Sequence, residues 1–160
     1  MTPREPITHP SPTPAPGSEP LARLTSDHRD WRAVTVEHLD GERYAVGVRG
    51  HLLLVDQPLA DGGSDTAPTP TELLAAALAS CVAFYAGRFL DRHGFSRRGL
   101  RVVTSFTMAE DRPARIAALA VTVTAPSLPE ERRSAFLAVI RHCTVHNTLH
   151  QEPQVDIDVR

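Results

Sequence analysis

Residues 69–93 read TPTELLAAALASCVAFYAGRFLDRH. Thr69 stands where a helix cap is needed. Pro70 falls at a first helical position, where its missing N–H is not needed, and Glu72 where a carboxylate can reach back to the cap. An unbroken run of helix formers follows, and Gly94, just past His93, supplies a left-handed stop. Apolar residues lie nearly all round this helix, so it reads as a central one that other elements must cover. Its most apolar part, Leu73 to Ala86, is Ala-rich and interrupted by Ser80; alone it is too short and too weakly hydrophobic for a bilayer of about 30 Å, and no membrane partner is expected.

Working outward, Gln57 to Pro68 is dense in Gly, Asp and Pro and reads as a loop that need not be rigid. Upstream of it, Arg32 to His38, Arg43 to Val48 and His51 to Asp56 alternate with period two. Asp40-Gly41 and Arg49-Gly50 divide them, the pattern of an antiparallel three-stranded meander. Met1 to Pro20 holds seven prolines and almost nothing apolar to bury, which predicts a disordered tail over residues 1–25 and a domain over 26–160. Downstream, Leu100 to Met108 and Ile116 to Thr124 read as a hairpin around Asp111-Arg112-Pro113. Ser127-Leu128-Pro129-Glu130 repeats the capping pattern and predicts a second helix whose apolar stripe runs through Phe136, Leu137 and Ile140 to Cys143. After an irregular stretch, Val155 to Val159 alternates as a last strand. The expected fold class is α+β, in the order βββ-α-ββ-α-β.

Composition narrows the function. A chain of 160 residues with 41% hydrophobic content suffices for one domain with a core. All seventeen basic residues are Arg, the formal charge is −2, and no basic stripe occurs, so no nucleic-acid partner is expected. The first residues lack the charged start and apolar run of an export signal, so a cytoplasmic location is expected. There, two cysteines make a poor structural staple and are either buried hydrophobes or redox groups.

Peroxide reduction by a thiol requires a thiolate and a second thiol able to reach the sulfenic acid. Cys81 shares a helix face with Leu74, Leu78 and Tyr85, and with Phe84 nearby these predict an apolar pocket. Cys143 ends the stripe of the second helix, so packing of the two stripes would bring the sulfurs together. Cys81 lies three turns from the helix start, beyond the reach of the macrodipole, so a thiolate there needs another cation, for which Arg suits best. Glu72, nine residues earlier, lies about 13 Å along the axis on the opposite face, which favours capping as its role.

From Asp56 onward the chain resembles the OsmC/Ohr family of organic hydroperoxide reductases and osmotically induced proteins. The resemblance lies in Gly62-Gly63, in Ala67-Pro68-Thr69-Pro70-Thr71-Glu72 leading through Leu73 to Ser80-Cys81, and in Cys143-Thr144-Val145-His146-Asn147-Thr148-Leu149. It implies an OsmC-like domain forming an intertwined homodimer around paired central helices. It implies Cys81 as the attacking and Cys143 as the resolving thiol, with a catalytic Arg from the early strands, Arg43 first and Arg49 second. No cofactor is implied; the partners are a hydroperoxide and a dithiol reductant such as a lipoyl protein or a thioredoxin-like one. The chain departs from the family pattern in carrying Thr71 where the usual Glu stands, with Glu72 one position later, and Thr144 where Pro commonly follows the second cysteine.

Two other readings use the same residues. His142, Cys143, His146 and His150 have a spacing that could suit zinc on a helix, although Asn147 to Pro153 is a weak helix sequence. A non-catalytic dimer binding a small apolar ligand would use both cysteines as packing residues.

Overall fold

Two turn dipeptides shape the first part of the chain. The computed structural model describes residues 33–160, so the expected tail and the start of the expected first strand at Arg32 lie outside the described residues. The chain forms two compact units, one ending at Thr69 and one spanning Pro70–Arg160. In the first, strands β1 (Val34–Asp40), β2 (Arg43–Val48) and β3 (His51–Val55) make an antiparallel sheet in the order β1-β2-β3. Gly41 and Arg49, with φ of 49° and 56°, take the left-handed positions at the two turns. Strand pairing runs from Val34 opposite Val48 to Tyr44 opposite Val55. Ala45 and Val55 are buried, while Val34, Val36, Leu53 and Leu54 remain exposed.

The segment after β3 is more ordered than its composition suggests. Asp56 is fully buried, and its carboxylate accepts hydrogen bonds from the backbone N–H of Gln57 (2.8 Å), Ser64 (3.2 Å) and Thr66 (3.0 Å) and from the Thr66 hydroxyl (2.8 Å). A single 3-10 turn, Leu59–Asp61, closes the loop, ending on Gly62 with φ of 86°. Gly63 is there for close approach: a Cβ would lie 1.9 Å from the Gln57 carbonyl oxygen. The loop, which from its composition need not be rigid, is therefore built around one carboxylate.

In the second unit, helix α1 (Pro70–Arg92) runs for 23 residues, starts at the expected proline and is followed by Gly94 with φ of 73°. The whole helix is long and apolar enough to cross a membrane by length and composition, which the Leu73 to Ala86 run alone did not suggest. Its buried residues Leu78, Val82, Ala86, Phe89 and Leu90 pack in the core instead. Strands β4 (Arg101–Met108) and β5 (Ile116–Thr124) form the expected antiparallel hairpin and contribute Val102, Leu119 and Val123 to that core. Helix α2 (Arg133–Ile140) adds Phe136, whose ring meets Phe89 edge to face at 5.3 Å, and Ile140.

Three expectations about the C-terminal third need correction. The Ser127 hydroxyl does not cap a helix but donates to the Ser96 carbonyl, and Glu130–Arg132 form a 3-10 turn before α2 begins. Cys143 is not the last residue of α2: the chain turns after Ile140, and a further short helix, α3 (Thr144–His150), follows where an irregular stretch was expected. Val155 to Val159 forms no strand; Val155, Ile157 and Val159 are 74%, 89% and 90% exposed. The alternating pattern is present, but among the described residues of this one chain no sheet edge pairs with it. The α+β class holds, with the single-chain order βββ-α-ββ-α-α.

Candidate functional site

The two thiols meet where α1 passes the start of α3. Cys81 lies midway along α1, half-buried, one turn beyond Leu78 and one before Tyr85, all packed in or against the core. Cys143 is fully buried and belongs to the same cluster. The Cys81 thiol is a close enough neighbour to raise the Cys143 pKa, and both cysteines are free. The two cysteines are thus neighbours, by a route other than the one reasoned. Cys143 approaches as the N-cap of α3, where its Sγ accepts the His146 backbone N–H at 3.4 Å.

Burial pushes the Cys143 thiol above its ordinary value, and the neighbouring Cys81 adds to the rise. The amides of His146 and Val145 at the helix start oppose it. Cys143 is therefore held as a neutral thiol around pH 7, suited to wait rather than to attack first. Tyr85, one turn beyond Cys81 on α1, has its hydroxyl 3.4 Å from Oγ1 of Thr144, the residue that follows Cys143.

Arg43 and Arg49 belong to the first unit, and Glu72 to the start of α1. Arg43, on β2, is bound through its guanidinium to Asp40, with Nε donating to Oδ1 at 2.7 Å. That bond draws the Asp40 carboxyl below its usual range. Arg49 is the exposed left-handed residue of the β2–β3 turn. Glu72 is exposed in the first turn of α1, nine residues and about 13 Å along the axis from Cys81. Leu74, Leu78 and Tyr85 do not line one pocket in the single chain. They open on three different hollows, with Leu74 beside Pro70 and Met108, Leu78 facing β5 and α2, and Tyr85 beside Arg88.

The four residues weighed as a metal set do not converge. His146 and His150 place their Nε2 atoms 3.1 Å apart, but Cys143 is turned into the core, and among the described residues no group of three or more His, Cys, Asp or Glu side chains is arranged around a possible ion. His146 Nδ1 is buried without a hydrogen-bond partner, so a metal at Nε2 would force a proton onto a nitrogen that has no acceptor. Sequence reasoning missed the capping role of Cys143 and the Tyr85–Thr144 contact. A Cys directly before Thr144 was the available signal, masked because sulfur is a rare cap.

Comparison with known proteins follows the same lines. A family model described as OsmC-like protein matches residues 62–158. A protein of Psychrobacter arcticus, described as osmotic stress induced and as a detoxification response protein, is 22% identical with a TM-score of 0.68, over 76% of this chain and 90% of that one. An organic hydroperoxide resistance protein of Vibrio cholerae, with captopril bound in one of its active sites, is 15% identical with a TM-score of 0.59, over 80% and 91%. The organic hydroperoxide resistance protein OhrB of Bacillus subtilis is 15% identical with a TM-score of 0.54, over 75% and 92%. At these identities the likeness concerns the fold. No curated protein sequence matches the chain.

Proposed function

We propose that this chain, which belongs to the OsmC-like protein family, is a thiol-dependent peroxidase that reduces organic hydroperoxides. One observation carries the reading: two free thiols, distant in sequence, are neighbours in one apolar cluster, one half-buried and one fully buried. A purely structural role does not require the two to face each other, since free cysteine packs as a small hydrophobe anywhere in a core. Structural relatives described as organic hydroperoxide resistance proteins support the choice of substrate.

In the proposed cycle the Cys81 thiolate attacks the distal peroxide oxygen. The S–O bond forms as the O–O bond breaks, the leaving alkoxide takes a proton and departs as alcohol, and Cys81 is left as sulfenic acid. The Cys143 sulfur then attacks Cys81; the S–S bond forms and hydroxide leaves with the Cys143 proton as water. An external dithiol, from a lipoyl or thioredoxin-like protein, reduces the disulfide by exchange and is itself oxidised. Arg43, with Arg49 as second choice, is the guanidinium assigned to the Cys81 thiolate and the peroxide, and Glu72 is kept as a cap or site carboxylate. The chain is placed in the cytoplasm, with residues 26–160 as one domain. Assembly as an intertwined homodimer would cover Val34, Val36, Leu53 and Leu54 and give the exposed Val155–Val159 segment an edge to pair with.

The test is consumption of cumene hydroperoxide and hydrogen peroxide with a dithiol reductant, for the native chain and for Cys81→Ser and Cys143→Ser. Cys81→Ser is expected to lower turnover by at least about a hundredfold with circular dichroism unchanged. Cys143→Ser is expected to leave a sulfenic acid that dimedone traps. Equal consumption by all three proteins, or by none, would overturn the proposal.

A further inference from the structure

On the face of α1 that carries Cys81, the residues at i+4, i+7 and i+11 are Tyr85, Arg88 and Arg92. Between this end of α1 and α2 lies a hollow of about 420 Å³. Phe89 and Tyr85 give it an apolar wall. Arg88 and Arg92 enter from α1, His93 from just beyond it and His142 from just after α2, and no Asp or Glu lines it. Neither arginine has a carboxylate partner among the described residues. Five others, Arg43, Arg97, Arg115, Arg133 and Arg160, each have one. Asp91, which stands between the two in sequence, is taken by Arg97. The one described contact of Arg88 is with the Phe84 ring, 5.5 Å from its centroid. His93 is fixed by its Nδ1–H, which donates to the Phe89 carbonyl at 2.9 Å.

We infer that this hollow is a carboxylate-recognition site, in which Arg88 and Arg92 hold the acid end of an amphipathic ligand whose apolar part runs along α1 past Tyr85 toward Cys81. Two unpaired guanidinium groups one turn apart, beside an aromatic wall and with no competing acid, suit a planar anion with an apolar body better than a neutral molecule. A helical rise of about 1.5 Å per residue sets the two arginines about 10 and 16 Å along the axis from Cys81. An extended chain of that length, bearing a carboxylate at one end, would present its other end at the thiols. Resting on the peroxidase reading, the inference makes Arg88 and Arg92 the specificity-determining residues for hydroperoxides that carry a carboxylate remote from the peroxide.

Two measurements on the full chain separate this inference from that reading. The first is calorimetric binding of octanoate, 1-octanol and acetate to the native protein and to the Arg88→Gln/Arg92→Gln double variant. Octanoate is expected to bind the native chain about tenfold more tightly than either comparison compound, a difference lost in the double variant. The second is the ratio of kcat/KM for a carboxylated alkyl hydroperoxide to that for its methyl ester, expected near tenfold and falling toward one in the double variant. Equal binding of octanoate and octanol, acetate binding as tight as octanoate, or a preference that survives in the double variant would each overturn the inference. Octanoate selectivity with no turnover of any hydroperoxide would support the carboxylate site while sinking the peroxidase. Turnover of acid and ester at equal rates would sink the carboxylate site and leave the peroxidase standing.

Discussion

The Asp56 loop and the Cys81–Cys143 contact both bury a chemically demanding group, and they treat it in opposite ways. In the loop, one carboxylate receives three backbone N–H groups and a hydroxyl, and hydrogen bonding, led by Thr66, holds it down at about 2 against the opposing effect of burial. At the thiols, one sulfur receives a long bond of 3.4 Å from His146, and burial lifts it instead. A saturated carboxylate is a fixture, because every change in its charge costs hydrogen bonds. A thinly bonded thiol pair can change oxidation state without dismantling its surroundings. The dense polar bonding thus belongs to the loop carboxylate, and the thiol pair has almost none.

Removing the fixture gives the largest expected effect. Asp56→Asn puts an amide N–H₂ or a poorer acceptor among four donors, so a fall of several degrees in Tm is expected at neutral pH by thermal scanning. The native chain should reproduce this on acidification. The folded-state value of about 2 lies below the ordinary carboxylate value of 3.8. The stabilisation is therefore complete above pH 4 and is lost as pH falls through about 2, while the Asn variant loses less over that window. If the variant and the native chain melted together at neutral pH, the loop would not be built around Asp56.

The thiol side of the comparison is sharpened by pH in the other direction. With Cys143 held above its ordinary value of 9.0, the step that converts oxidised Cys81 to the disulfide should accelerate as pH rises past neutral, by up to about tenfold per unit. That rise should continue beyond pH 9 rather than level off there. Acid-quenched time points with mass detection would follow it, and a rate flat from pH 6 to 9 would contradict a neutral, waiting Cys143. A smaller effect is expected for Thr144→Val, which removes the 3.4 Å contact with Tyr85. A loss of about 0.5 kcal/mol is expected from chemical denaturation, with a modest slowing of disulfide formation.

The same contrast explains what was legible beforehand. Helix α1 declared itself because its start at Pro70 and its stop at Gly94 are local signals. The meander did so because Asp40-Gly41 and Arg49-Gly50 set its turns. Asp56 was read only as a strand end, since its partners Ser64 and Thr66 lie eight and ten positions away and nothing in local spacing ties them to it. Helix α3 was missed because Thr144, Val145, Asn147 and Thr148 are weak helix formers, and its cap is a sulfur. Val155 to Val159 shows the limit most clearly. Alternation says that a segment can join a sheet, but not whose edge it joins. The pairing of Cys81 with Cys143 was legible as chemistry, and only the three-dimensional packing located Cys143 at the head of α3.

The most direct test of the account is peptide mapping after one equivalent of alkyl hydroperoxide is added to the reduced protein. A Cys81–Cys143 disulfide is predicted, with intact mass lower by about 2 Da and the peroxide consumed in equal amount. Unspent oxidant with both thiols still free for alkylation would contradict it.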